Sequence, residues 1–347
     1  MSQLTSICLL RLSAIGDTCN AVAAVQAIQR QHPQAAITWV IGKAEAALLE
    51  NLPGIEFIVF NKKEGLAAYR KLRRQLAGRT FDALLLMQVA LRANLASLCI
   101  SARRRIGYDK GRSKELHSLF INERISPATA PHVLDTFLQF AAALGVPTAA
   151  PRWNIPVEAP DKRWAEDTLT SSARGQLVIV PAASARERNW QPQRYAEVAD
   201  YAAQQGFAVY LCGGPTELEL ELARQITAHC KHPLTNLVGK STLKQLFALI
   251  RAADLVIAPD TGPVHMAVAA GTPVIGLYAH SNPARTGPYS WQSYVVDAYS
   301  GLAEQQYGKH PDQLPWGQRL KGETLMDSIT TEQVCATFDR VVMEQEL

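Results

Sequence analysis

No apolar run among the 347 residues approaches the roughly 18 to 20 that a membrane-spanning helix needs, so a soluble chain is expected. The opening MSQLTSICLLRL has no basic segment before its short apolar run and no small-residue cleavage site after it. It reads as a strand and not a signal peptide, which predicts a cytoplasmic protein. The six cysteines, Cys8, Cys19, Cys99, Cys212, Cys230 and Cys335, form no CxxC pair and have no histidine at ligand spacing. A disulfide framework and a zinc site are both unexpected, and the cysteines read as buried or half-buried thiols. No carboxylate cluster or metal-spaced histidine pair is present, and no short repeat or low-complexity tract. Nowhere does a strand run into GxGxxG, which weighs against a dinucleotide cofactor. The net charge of +4 is small for this length. Much of the basic charge nonetheless lies in the first half, in KLRR at 71–74 and RRR at 103–105. Such runs fit an anionic partner or, more commonly, a solvated helix face.

What is present is an alternation. Strand-length apolar runs (SICLLRL, AITWVIG, EFIVF, FDALLLMQ) are followed by segments of helical period at 17–31, 43–51, 64–77 and 91–101. That rhythm predicts βα units and a parallel sheet covered on both faces. It breaks after Gly145, where Pro147, Pro151, Pro156 and Pro160 crowd one stretch, and resumes at QLVIVPA, FAVYLCGG, LVIAPD and TPVIGLYAH. The reading is two Rossmann-like, doubly wound domains at 1–155 and 175–328, joined by a linker at 156–174. The amphipathic tail, 329–347, follows as a helix.

Each half contains a strand that ends in a polar, glycine-bearing turn and runs directly into a helix. Ligands of open α/β sheets collect at such places, outside the carboxyl ends of strands, where helix amino termini present free N–H groups. In PDTGPVH, Thr261 can cap the helix, Gly262 lets backbone approach a ligand, Pro263 suits the first helical position and His265 lies in the first turn. The segment reads equally as an anion site and as a well-capped structural helix. In RLSAIGDT, Asp17 is by default a capping residue. A carboxylate at the carboxyl edge of the first strand is also well placed to take a proton from an acceptor hydroxyl. Between these, PAASARERNW offers Ser184 and Arg188 as phosphate contacts or as a polar surface loop.

Taken together, RLSAIGD, the basic loop ending at Trp190 and DTGPVHMAVAAGTPVIGLY resemble the family 9 glycosyltransferases, the ADP-heptose:lipopolysaccharide heptosyltransferases. The likeness extends over nearly the whole chain. ITWVIGKAEAALLENLP, PHVLD at 131–135, HSNPARTGPY at 280–289 and LPWGQRLKGETLM at 314–326 point to the OpsX-type heptosyltransferase I branch. The resemblance implies an α/β GT-B fold with an interdomain cleft, an inverting mechanism, and neither cofactor nor catalytic metal. It implies ADP-heptose as donor and Kdo-lipid A, with phosphorylated Kdo, as acceptor. It places the enzyme on the inner-membrane surface as a peripheral protein and leaves nucleic acid out.

By the same resemblance Asp17 is the base and Gly16 admits the acceptor sugar to backbone. Arg188, where many relatives have Lys, stabilises the leaving diphosphate with the Thr261 and Gly262 N–H groups and His265, with Pro263 beside them in the ADP-heptose-binding set. Asp260 matches the aspartate before TG, Glu217 a ribose-binding glutamate and Ser241 a residue near adenine. The pair Ala183–Ser184 stands where relatives often have two hydroxyl residues. The acceptor candidates are Arg11, Ser13, Lys62, Lys63, Arg92, Arg103, Arg104 and His132. The tail helix would cross back to the first domain. The competing readings are a nicotinamide-dependent oxidoreductase on the same fold class, a sugar-nucleotide binding protein without turnover, and a family 9 transferase acting on a later core heptose.

Overall fold

The apolar runs of the first half form one six-stranded parallel sheet. The computed structural model describes residues 4–127, 131–170, 172 and 174–347. Within it, β1 (Ser6–Arg11), α1 (Ile15–Gln31), β2 (Ala36–Gly42), α2 (Lys43–Leu49), β3 (Ile55–Phe60), α3 (Leu66–Gln75), β4 (Thr80–Leu86), α4 (Leu91–Ser97), β5 (Ser101–Gly107), β6 (Glu123–Arg124) and α5 (Val133–Ala143) follow in order. The strand order is β3-β2-β1-β4-β5-β6. Ile7, Cys8, Leu9 and Leu10 are all fully buried, as consecutive residues are when helices cover both faces of a sheet.

One strand contradicts its sequence reading. The run 103–105, taken as acceptor-binding or solvated charge, lies in β5; Arg104 and Arg105 find partners distant in sequence, while the Arg103 side chain stays 78% exposed. Arg103 pairs with Asp82 at 3.4 Å, and Arg104 grips Glu123 at 2.9 and 2.7 Å and the Ala143 carbonyl at 2.7 Å. Arg105 donates to the carbonyls of Phe120, Ile100 and Ser97.

The second half repeats the plan with α6 (Ala159–Thr168), β7 (Gly175–Ile179), α7 (Pro192–Gln204), β8 (Phe207–Leu211), α8 (Glu217–His229), β9 (Thr235–Asn236), α9 (Leu243–Ala252), β10 (Leu255–Pro259), α10 (Gly262–Ala270), β11 (Val274–Tyr278), α11 (Pro283–Thr286), β12 (Val295–Asp297), α12 (Tyr299–Tyr307) and α13 (Thr331–Glu344). Its sheet, also parallel, runs β12-β11-β10-β7-β8-β9. The chain divides into compact units at Pro156/Val157.

The proline-rich stretch that runs from Gly145 into the expected linker is more structured than its composition suggests. Trp153 Nε1 donates to the Cys19 carbonyl at 2.9 Å, and the backbone of Asn154 exchanges hydrogen bonds with the Gln26 side chain, which fixes the stretch to α1. Pro160 then occupies the first turn of α6, where its missing N–H costs nothing, and α6 packs on α9.

The tail helix α13, expected to return to the first domain, buries Val334, Phe338, Val341 and Val342 in the core of the second unit with Trp190, Tyr195 and Phe207. Trp190 is 1% exposed and donates to the Ile329 carbonyl at 3.0 Å, so truncating it to Ala would cost about 3–5 kcal/mol.

In each sheet two neighbouring strands send their chains in opposite directions: β1 toward β2 and β4 toward β5, β7 toward β8 and β10 toward β11. A crevice opens at the carboxyl ends of such a pair. Asp17 follows β1, and Arg188 and Asp260 follow β7 and β10.

Candidate active site

In the first unit the crevice between β1 and β4 is bridged by hydrogen bonds. The Leu12 amide donates to Gln88 Oε1 at 2.8 Å, and Gln88 Nε2 donates to Ser13 Oγ at 3.2 Å. Arg11 reaches the Met87 carbonyl through one terminal nitrogen at 2.5 Å and Asp17 Oδ2 through the other. Its guanidinium also lies 5.3 Å from the Phe137 ring centroid. Arg11, expected to touch the acceptor, holds Asp17 with one terminal nitrogen, while its Nε is buried without a protein partner among the described residues. The Ala14 amide also approaches Oδ2, at 3.5 Å. Oδ1 has no protein partner among the described residues, and Asp17 remains 32% exposed. One carboxylate oxygen is anchored and the other is open, the arrangement a general base requires. Gly16 is buried beside it in the first turn of α1.

Next to this turn lies a cavity of about 500 Å³ whose wall includes Ser13, Glu45, Lys62, Lys63, Gln88 and Arg92. Four of the predicted acceptor residues thus come together at the carboxyl ends of the strands. Gly42 lines the same cavity, where an added Cβ would sit 2.1 Å from the Leu12 carbonyl oxygen. Burial pushes the Glu45 carboxyl above its ordinary range, and Lys62, Arg11 and Asp17 are near enough to act on it.

Three predicted acceptor residues lie elsewhere. Arg103 and Arg104 stand on β5, which begins opposite Thr80 at the far end of β4. His132 is buried, and its Nδ1 accepts from the Leu134 amide at 3.0 Å as the cap of α5, the helix that carries Phe137. Sequence reasoning missed Gln88, Glu45 and Phe137. Only Gln88 had a signal, since it directly follows the apolar run of β4.

In the second unit Arg188 bridges β7 and β10. Its NH1 donates to the Asp260 carbonyl at 2.7 Å and lies 3.3 Å from Asp260 Oδ2, while NH2 donates to Ser184 Oγ at 3.1 Å. Ser281 Oγ completes the set by donating to Asp260 Oδ2 at 2.6 Å. Arg188 Nε is buried without a protein partner among the described residues. Of five N–H donors, two remain unmet. Thr261 stands at the N-cap of α10 in extended conformation, and its hydroxyl caps no helical N–H. Gly262 and Pro263 open the helix above the buried His265, leaving amide donors and the positive end of the helix dipole facing outward. Ser281's neighbour His280 is buried, with Nδ1 3.1 Å from the Leu320 carbonyl and Nε2 without a protein partner among the described residues. It was not predicted.

Glu217 and Ser241 follow β8 and β9 at the same sheet edge. The Gly239 amide donates to the Gly213 carbonyl at 3.0 Å, which ties their two loops together. Glu219, not Glu217, serves the turn, taking the Gly214 amide at 2.7 Å and the Thr216 hydroxyl at 2.5 Å. Glu217 is left exposed on the wall of an open groove.

Two Rossmann-like sheets, one with a half-anchored carboxylate and the other with an arginine and a helix amino terminus, define a nucleotide-sugar transferase of the GT-B class. The chain belongs to glycosyltransferase family 9 (heptosyltransferase), whose sequence profile matches residues 69–313. It is 46% identical over 336 residues to the lipopolysaccharide core heptosyltransferase OpsX of Haemophilus influenzae, covering 97% of this chain and 96% of that one. The fold matches the family 9 glycosyl transferase of Veillonella parvula with a TM-score of 0.80, at 22% identity and covering 99% of both chains. For the Escherichia coli heptosyltransferase WaaC with ADP the TM-score is 0.74, at 19% identity over 97% of this chain and 100% of that one.

Proposed function

We propose that this chain transfers heptose from ADP-L-glycero-D-manno-heptose to the phosphorylated Kdo of Kdo-lipid A, with inversion, as a peripheral enzyme at the cytoplasmic face of the inner membrane. The observation that carries the reading is Asp17. Its Oδ2 is held by Arg11 and its Oδ1 is open, next to a cavity walled by Lys62, Lys63 and Arg92. A Kdo hydroxyl presented to Oδ1 gives up its proton as its oxygen bonds to the anomeric carbon. The bond from that carbon to the diphosphate breaks on the opposite side, and ADP departs with the electron pair. The unmet donors of Arg188, the Thr261 hydroxyl and the Gly262 amide suit the developing diphosphate charge. The four cations lining the cavity, Lys43, Lys62, Lys63 and Arg92, suit a sugar carrying carboxylate and phosphate. No helix among the described residues is long and apolar enough to cross a membrane, which agrees with peripheral attachment.

The test is ADP release from ADP-heptose with Kdo-lipid A, with and without the Kdo phosphate. Turnover that requires the phosphate is expected. Turnover with either acceptor would remove the phosphate from the reading, and turnover with neither would refute it.

A further inference from the structure

The first unit exposes leucines where nothing in its own fold requires them. Of the nine large hydrophobic residues exposed among the described residues, seven belong to this unit. Leu91, Leu95 and Leu98 follow one another at helical spacing along the outer face of α4, whose inner face buries Ala93, Asn94, Ala96 and Ser97. Leu116 and Leu119, 67% and 76% exposed, cap the turn beside it, and Leu66, 74% exposed, opens α3.

These leucines share one surface because their elements are bonded together. Glu115 takes the Leu91 amide through its carboxylate and Asn94 Nδ2 through its carbonyl at 3.0 Å. His117 Nδ1 meets Asn94 Oδ1 at 2.9 Å, and the Tyr69 hydroxyl, one turn on from Leu66, donates to the Arg92 carbonyl at 3.5 Å.

The charge around the patch is lopsided. Between Lys62 and Glu115 the sequence has fourteen Lys and Arg against four Asp and Glu, although the whole chain carries only +4. The acids in this span are already used: Asp82 and Asp109 pair with Arg103 and Arg112, Glu64 bonds Asn61, and Glu115 holds Leu91. Arg70, Lys71, Arg73, Arg74, Lys110 and Lys114 are exposed and enter no ion pair among the described residues. An apolar crown ringed by unpaired cations suits the boundary of an anionic bilayer, where leucines enter the acyl region and cations meet headgroups.

We propose that α4, the 116–119 turn and the start of α3 dock this enzyme on an anionic lipid surface, with the acceptor-side cavity opening at the edge of the docked face. Arg92, between Leu91 and Leu95, lines that cavity, as do Lys62 and Lys63 just ahead of Leu66. A sugar projecting from a lipid would enter beside the anchor without leaving the membrane. The inference rests on the acceptor being a lipid, as proposed above.

The experiment is cosedimentation of the full chain with vesicles of phosphatidylglycerol and phosphatidylcholine, and with phosphatidylcholine alone. The expected result is binding to the anionic vesicles that weakens when salt is raised to about 0.5 M. The double variant Leu98→Ser/Leu119→Ser is expected to lose roughly tenfold in partitioning per leucine. Its circular dichroism, and its turnover on an acceptor stripped of acyl chains, should match wild type within about twofold. Wild type that ignores anionic vesicles, or a double variant that binds them equally well, would overturn the proposal. So would a double variant that changes only the oligomeric state, which would make the patch a surface for a second copy. Loss of vesicle binding in the variant supports the surface even if no acceptor yields transfer, a result that would remove the proposed function alone.

Discussion

Replacing Asp17 by Asn separates the basicity of this side chain from its packing. The amide keeps an oxygen where Oδ2 accepts from Arg11, so the guanidinium retains a partner and the first turn of α1 retains its shape. What disappears is the capacity to take a proton. General-base catalysis contributes roughly 10²- to 10⁴-fold, so kcat should fall about a thousandfold, equivalent to about 4 kcal/mol of transition-state stabilisation. The KM for both substrates should stay within a few-fold, since binding does not depend on the proton transfer. Asp17→Ala is the informative contrast. It leaves the Arg11 guanidinium, only 11% exposed, without its counter-charge. Because Asp17 is itself about one-third exposed, the expected stability cost is discounted to about 1–2 kcal/mol. Coupled detection of ADP release gives the rates, and thermal unfolding gives the stabilities. An Asn variant within tenfold of wild-type kcat would refute the assignment of the base, whatever the Ala variant does.

Three further outcomes follow from the geometry. Arg188→Ala removes the unmet donors beside α10 and should weaken ADP binding by roughly 10- to 100-fold in calorimetric titration; unchanged affinity would put the diphosphate elsewhere. His117 accepts the Tyr108 amide through Nε2, and burial followed by Arg124 brings its pKa down to about 4. Its stabilising contribution is complete above pH 6.5 and is lost as pH falls toward 4, up to about 3 kcal/mol, so an NMR titration placing it near 6.5 would refute the burial argument. Glu45 has its pKa raised by burial, so above pH 4.5 the wild type loses stability as pH rises. Glu45→Gln should therefore be the more stable protein at pH 7 and no more stable at pH 4, and denaturant midpoints that do not diverge with rising pH would refute this.

Most strands that could be read in the sequence, β1, β2, β4, β7, β8, β10 and β11, are largely buried, where burial demands an unbroken apolar run; β3, at the sheet edge and only partly buried, was read from its short apolar run EFIVF. Strand β5 was hidden because its three arginines resemble solvated charge. Their neutralisation depends on Asp82, Glu123 and a set of carbonyls that only the folded sheet brings near. Helix α6 was hidden by its prolines, since the residue that ends one helix also opens another, and composition does not say which.

The site divides along the same line. Asp17, Arg188 and Asp260 could be singled out as candidates because each sits at a strand-to-helix turn, where spacing limits what a polar residue can do. The division of labour between Arg11 and Arg188 was not legible, because Arg11 ends and Arg188 follows the first strand of its sheet, and polar residues surround both. In the fold each spends one terminal nitrogen on a main-chain carbonyl across the strand reversal, Met87 for Arg11 and Asp260 for Arg188. The other nitrogen decides the role. That of Arg11 is taken by a carboxylate, which, with Asp17 as the proposed base, makes Arg11 a positioning residue for it. That of Arg188 meets only the Ser184 hydroxyl, and although its first nitrogen also lies 3.3 Å from Asp260 Oδ2, the remaining hydrogen stays available to an anion. Exchanging the two outcomes tests this argument: Arg11→Lys should reduce kcat with little effect on ADP affinity, whereas Arg188→Lys should alter ADP affinity first. Equal effects of the two changes on ADP binding would show that the shared carbonyl contact, and not the second nitrogen, sets what each arginine does.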